Sequence, residues 1–106
     1  MPAKFRSTMN SGFQIVFDNG WEVSVQFGHM NYCDNRKFDA PFNVHGASDF
    51  TECATAEVAV FTPDRKMLGD VMGYQTPDEV TRIMMVVASG EFINFLNNRN
   101  KQVTND

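Results

Sequence analysis

The segment Gly12-Phe13-Gln14-Ile15-Val16-Phe17-Asp18-Asn19-Gly20-Trp21-Glu22-Val23-Ser24-Val25-Gln26-Phe27 alternates large apolar side chains on both sides of a turn signal. Alternation with period two is the mark of a strand with one face buried. Asn19 and Gly20 both tolerate positive φ, so Asp18-Asn19-Gly20 reads as the turn of a β-hairpin. Two registers compete. A two-residue turn centred on Asn19-Gly20 sets Phe17 opposite Glu22, Val16 opposite Val23 and Ile15 opposite Ser24, which splits the apolar sets between faces. A three-residue loop with a glycine bulge pairs Phe17 with Trp21, Ile15 with Val23 and Phe13 with Val25. It gathers Phe13, Ile15, Phe17, Trp21, Val23 and Val25 on one face, and is the register preferred here.

Downstream, residues 53–61 have strand composition, with Ala54, Ala56, Val58 and Val60 on one face and Glu57 and Phe61 on the other. The alanines leave room for a bulky layer against them. Thr62-Pro63-Asp64-Arg65-Lys66 reads as a turn, because Pro63 presets φ at its first central position. Residues 67–72, which include Gly69, would return as a short strand near an edge and complete a second hairpin. Thr76, Pro77 and Glu79 then mark a helix start, Thr76 as N-cap and Glu79 three residues on to close a capping box. Val80, Ile83, Met84 and Val87 follow at helical spacing. Ser89-Gly90 either ends this helix or bends it before Phe92, Phe95 and Leu96 resume an apolar face, and a polar tail is expected over residues 97–106. The reading is an α+β domain, an antiparallel sheet of two hairpins packed by a C-terminal helix or bent helix pair.

The chain has 106 residues, which fits one domain spanning 1–106. Flexible ends are expected at 1–10 and 98–106, with residues 1–11 as a frayed tail or a short edge strand. Ten Phe, seven Met, one Trp and two Tyr supply the core. The longest apolar stretch, residues 83–88, is far short of the roughly 18 residues that cross a bilayer. Polar Ser7, Thr8, Asn10 and Ser11 stand where a secretory signal would carry its apolar region. Nine Lys and Arg against thirteen Asp and Glu give a net charge of −4, which argues against unaided binding to nucleic-acid phosphates. Cys33 and Cys53 are expected to be free thiols in a reducing compartment. Those expectations together point to the cytoplasm.

Function has fewer signals. His29, Cys33, His45 and Cys53 are the residues from which a zinc tetrahedron could be drawn, but they lack the short paired spacing of compact zinc modules, so no metal site is expected. Cys33 has His29 four residues before it and Asp34 beside it, the ingredients of a thiol nucleophile only if the three converge. Asp34, Asp39, Asp49 and Glu52 do not follow an EF-hand spacing. Phosphate-loop, dinucleotide, metalloprotease and nucleophile-elbow patterns are missing, and no cofactor is implied. Residues 28–52 form the least regular stretch, long for a compact domain and the natural place for loop-borne function. Within it Tyr32, Arg36, Lys37, Phe38 and Phe42 have the aromatic and basic character of protein-interface anchors. Phe38 and Phe42 read equally as pins into the core.

At residues 19–28, Asn19-Gly20-Trp21-Glu22-Val23-Ser24-Val25-Gln26-Phe27-Gly28, and at Asn31-Tyr32-Cys33, the chain resembles small uncharacterised proteins carried by bacteriophages. The likeness extends to residues 56–61 and to the helix start Pro77-Asp78-Glu79-Val80, about a third of the chain. It implies a noncatalytic phage accessory protein in the host cytoplasm that binds a host or phage protein as an inhibitor, and it assigns no role to a particular residue. A small cysteine-dependent hydrolase and a virion or self-assembling protein are the alternatives, the last leaving a homo-oligomer open.

Overall fold

A computed structural model describes residues 3–8, 11–35 and 52–104. Five strands, β1 (Lys4–Ser7), β2 (Gly12–Val16), β3 (Glu22–Gln26), β4 (Ala56–Phe61) and β5 (Met72–Gln75), form one antiparallel sheet in sequence order. Two helices follow, α1 (Pro77–Ala88) and α2 (Phe92–Thr104). The first hairpin adopts the bulged register. Phe13 pairs with Val25 and Ile15 with Val23, Phe17 N–H donates to Trp21 O at 2.9 Å, and Gly20 takes the left-handed φ of 87° that the bulge requires.

That register fixes the two faces. Val23, Val25, Val58 and Val60 are buried against Val80, Ile83, Val87 and Phe92, with Phe13, Ile15, Phe17 and Trp21 packed around them. Trp21 meets Phe92 edge-on at 6.4 Å and 67°, so the aromatic that follows the turn packs on the start of the second helix. The turn is also bonded to the helix layer: Asn19 Nδ2 donates to Val87 O at 3.0 Å and Ala88 O at 3.3 Å. These are carbonyls that a helix end leaves without intrahelical partners.

The other face carries polar residues. Arg6 and Glu22 pair at 3.0 Å. Gln26, 8% exposed, donates through Nε2 to Thr8 Oγ1 at 3.1 Å and Ser24 Oγ at 3.1 Å. Its Oε1 accepts from Ser11 Oγ at 3.3 Å, so burial leaves neither end of the amide unsatisfied.

The α1 start is as the sequence indicates. Thr76 Oγ1 accepts from Glu79 N–H at 3.2 Å and Glu79 Oε1 accepts from Thr76 N–H at 2.9 Å. The bond from the Thr76 backbone holds the Glu79 carboxyl below its ordinary pKa. Ser89-Gly90 ends the helix outright. Gly90 N–H donates to Val87 O at 3.1 Å and Glu91 N–H to Val86 O at 2.9 Å, with Gly90 at φ 82°, a Schellman closure.

One open alternative is decided, and two boundaries differ from the sequence reading. The edge-strand alternative holds at the N-terminal end, where β1 pairs with β2 from Lys4↔Val16 to Ser7↔Phe13. The returning strand lies later than residues 67–72. Met67 makes only an isolated bridge to Phe61, Gly69 at φ 76° breaks the run, and strand pairing starts at Val58↔Met72, with a register shift before Ala56↔Gln75. The polar stretch expected as a tail continues α2 through Thr104. Arg99 supports this last part, its guanidinium 5.6 Å from the Phe95 ring centroid and donating to Met72 Sδ at 3.2 Å.

Candidate functional site

Residues 28–35 form a braced loop over the polar face where β4 and β5 meet. Gly28 N–H donates to Asn31 Oδ1 at 2.9 Å and Asn31 N–H returns to Gly28 O at 3.1 Å, closing a tight turn. Glu57, on the polar face of β4, then receives the loop with both carboxylate oxygens. Oε1 accepts from Asn31 Nδ2 at 3.2 Å and Oε2 from Tyr32 N–H at 3.1 Å. On the far side Tyr32 O accepts from Tyr74 N–H at 2.8 Å. Tyr32 is therefore held through both of its peptide groups, yet the residue is 49% exposed.

Gly73 permits that approach. A Cβ built there would stand 2.9 Å from Tyr32 Cβ, closer than side-chain atoms tolerate, so only glycine fits beneath the loop. Its neighbour Tyr74 sits at φ 53°, an uncommon backbone for an aromatic residue, with its side chain 50% exposed. The Tyr32 and Tyr74 backbones thus meet at the β5 edge. Met30 and Val71 add exposed apolar side chains on the flanking positions of the two segments.

The loop's other end is tied to the residues before β4. Asp34 N–H donates to Thr55 Oγ1 at 3.0 Å, and Asn35 Nδ2 donates to Phe27 O at 2.8 Å and Glu52 O at 3.2 Å. These bonds explain why β4 begins at Ala56 and not at Cys53: Glu52 and Thr55 are engaged by the loop. They also bring the Cys33 segment against the Cys53 segment, so that the two thiols neighbour one another. Cys33 is 1% exposed and donates to Gly28 O at 3.4 Å. Burial pushes its thiol up to about 11, with the neighbouring Cys53 and Glu57 adding to the rise.

These facts sort the residues singled out in the sequence. Tyr32 stands in the exposed pair. Arg36, Lys37, Phe38 and Phe42 lie outside the described residues, as do His45, Asp39 and Asp49. Cys33 is buried with its pKa raised, the opposite of what a catalytic nucleophile needs. Among the described residues no group of three or more His, Cys, Asp or Glu is placed to hold a metal ion. No helix among them is long and apolar enough to cross a membrane. Tyr74 was not singled out, since nothing local in Met72-Gly73-Tyr74-Gln75 signals a left-handed tyrosine. The paired exposure of Tyr32 and Tyr74 comes from a contact between distant segments.

A second concavity of about 360 Å³ lies between α1 and α2, with Arg82, Arg99, Glu79 and Phe95 on its walls. Its Glu79 is committed to the helix cap and its Arg99 to Phe95 and Met72. The arrangement there serves the helix pair. No protein-family model, curated protein or solved structure matches this chain.

Proposed function

We propose that this chain is a noncatalytic protein-binding domain whose contact surface is centred on Tyr32 and Tyr74. The observation that carries the reading is the exposure of both tyrosines on a backbone fixed from both sides, by Glu57 and by the hydrogen bond from Tyr74 N–H to Tyr32 O. Rigid tyrosines give a large contact area with little side-chain entropy to lose, which is why they serve as interface anchors. The left-handed Tyr74 adds support, because strained backbone kept at an exposed position is characteristic of binding sites. Joined to the likeness to phage proteins at residues 19–28 and Asn31-Tyr32-Cys33, the surface reads as that of a phage accessory protein. It would engage a host or phage protein in the host cytoplasm and inhibit it.

The test begins with a pull-down from native host cells, followed by purification of the captured protein and calorimetric titration against the wild-type chain. Tyr32→Ala and Tyr74→Ala should each weaken that association at least about tenfold, or ~1.4 kcal/mol. Circular dichroism would verify that each variant is folded. Unchanged affinity in both variants overturns the assignment of the surface.

A further inference from the structure

The Tyr32 loop carries a second chemistry, independent of any binding partner. Asp34 N–H to Thr55 Oγ1 at 3.0 Å and Asn35 Nδ2 to Glu52 O at 3.2 Å run residues 33–35 alongside residues 52–55. Cys33 is buried on the inner side of this seam and Cys53 is half-buried, lining an apolar cleft with Phe27, Ala54 and Val80. One thiol is thus reachable from the cleft and the other is buried. That order of access is what a two-step disulfide closure needs.

We propose that Cys33 and Cys53 form a redox modification site, a dithiol that a low-molecular-weight disulfide converts to an internal disulfide tying the Tyr32 loop to the start of β4. The Cys53 thiolate attacks one sulfur of the small disulfide, forming a mixed disulfide and expelling one small thiolate. Cys33 then gives up its proton, and its sulfur attacks the Cys53 sulfur, expelling the second small thiolate. The protein loses two hydrogens and two electrons, and the oxidant leaves as two thiols. Because burial holds the Cys33 thiol protonated, the second step is the slow one, and the mixed disulfide on Cys53 accumulates before it resolves.

The experiment treats the purified full chain with excess oxidised glutathione, then quenches, denatures, alkylates and measures intact mass and a peptide map. The expected product is a monomer lighter by two hydrogens, with no thiol left to alkylate and a Cys33–Cys53 cross-linked peptide that dithiothreitol reverses. The Cys33→Ser variant should stop at the glutathione adduct on Cys53. A wild-type chain that also stops there, with Cys33 alkylated after denaturation, overturns the proposal. So does a product linked between two chains. Because the readout is covalent mass, neither outcome depends on whether a protein partner exists.

Discussion

The β2–β3 turn and the turn after β4 share one hydrogen-bond scheme and use unlike residues to make it. In the first, Gly20 N–H donates to Phe17 O and Phe17 N–H to Trp21 O, each at 2.9 Å. In the second, Arg65 N–H donates to Thr62 O at 2.8 Å and Thr62 N–H to Lys66 O at 2.9 Å. The third loop residue is left-handed in both, Gly20 at φ 87° and Arg65 at φ 66°. One position is filled by the residue that adopts this backbone freely, the other by a residue that must be held in it. The turns also touch, since a Cβ at Gly20 would stand 3.2 Å from Pro63 Cβ. Gly20 therefore meets two demands at once, whereas exposed Arg65 meets neither by its chemistry. What separates the turns is how much of each is specified locally.

The largest expected effect sharpens that contrast at the residues that close the loops. Trp21 packs on Phe92 and the core, so Trp21→Ala should cost on the order of 3 kcal/mol, in line with large-to-small core substitutions. Its counterpart Lys66 is exposed, and Lys66→Ala should stay within about 0.5 kcal/mol. Urea denaturation of both variants checks the pair. Equal midpoints would show that the first hairpin is not anchored through Trp21.

A smaller effect is expected at Gly20 itself. Alanine there takes on the left-handed penalty of roughly 1–2 kcal/mol. It also presses its methyl on Pro63 Cβ and Cγ at 3.2 and 3.3 Å. Gly20→Ala should thus lower stability by about 2 kcal/mol, read as the shift in urea midpoint at unchanged slope. A loss well under 1 kcal/mol would mean that the Asp18-Asn19-Gly20 loop can relax into another turn, and that the register does not depend on the bulge.

The same local-versus-distant division governs what could be read from the sequence. The β2–β3 register was legible because only the bulged pairing puts Phe13, Ile15, Phe17, Trp21, Val23 and Val25 on one face. The α1 cap was legible because Thr76 and Glu79 satisfy each other within one turn. The β5 position was not, because Gly69 interrupts residues 67–72 and the strand that pairs with β4 lies later, its register shifting between Ala56 and Val58. Nor was the continuation of α2: Asn97, Asn98 and Arg99 carry no apolar stripe, and Arg99 is supported by Phe95 and by Met72 on another element. The candidate site was half legible. Tyr32 has interface character in any context, but Glu57 as its brace and Tyr74 as its neighbour exist only once β4 and β5 are assembled.

The smallest effect runs in the opposite direction. Replacing Arg65 by glycine removes a left-handed penalty of roughly 1–2 kcal/mol. Glycine's greater freedom in the unfolded chain takes back roughly 0.5–1 kcal/mol of that. The first quantity exceeds the second, and exposed Arg65 has little packing to lose. Arg65→Gly should therefore stabilise the domain by about 0.5–1 kcal/mol, seen as a higher urea midpoint with the slope unchanged. A lower midpoint would show that Arg65 is held by favourable contacts of its own. The two turns would then differ in what stabilises them and not in how much strain they carry.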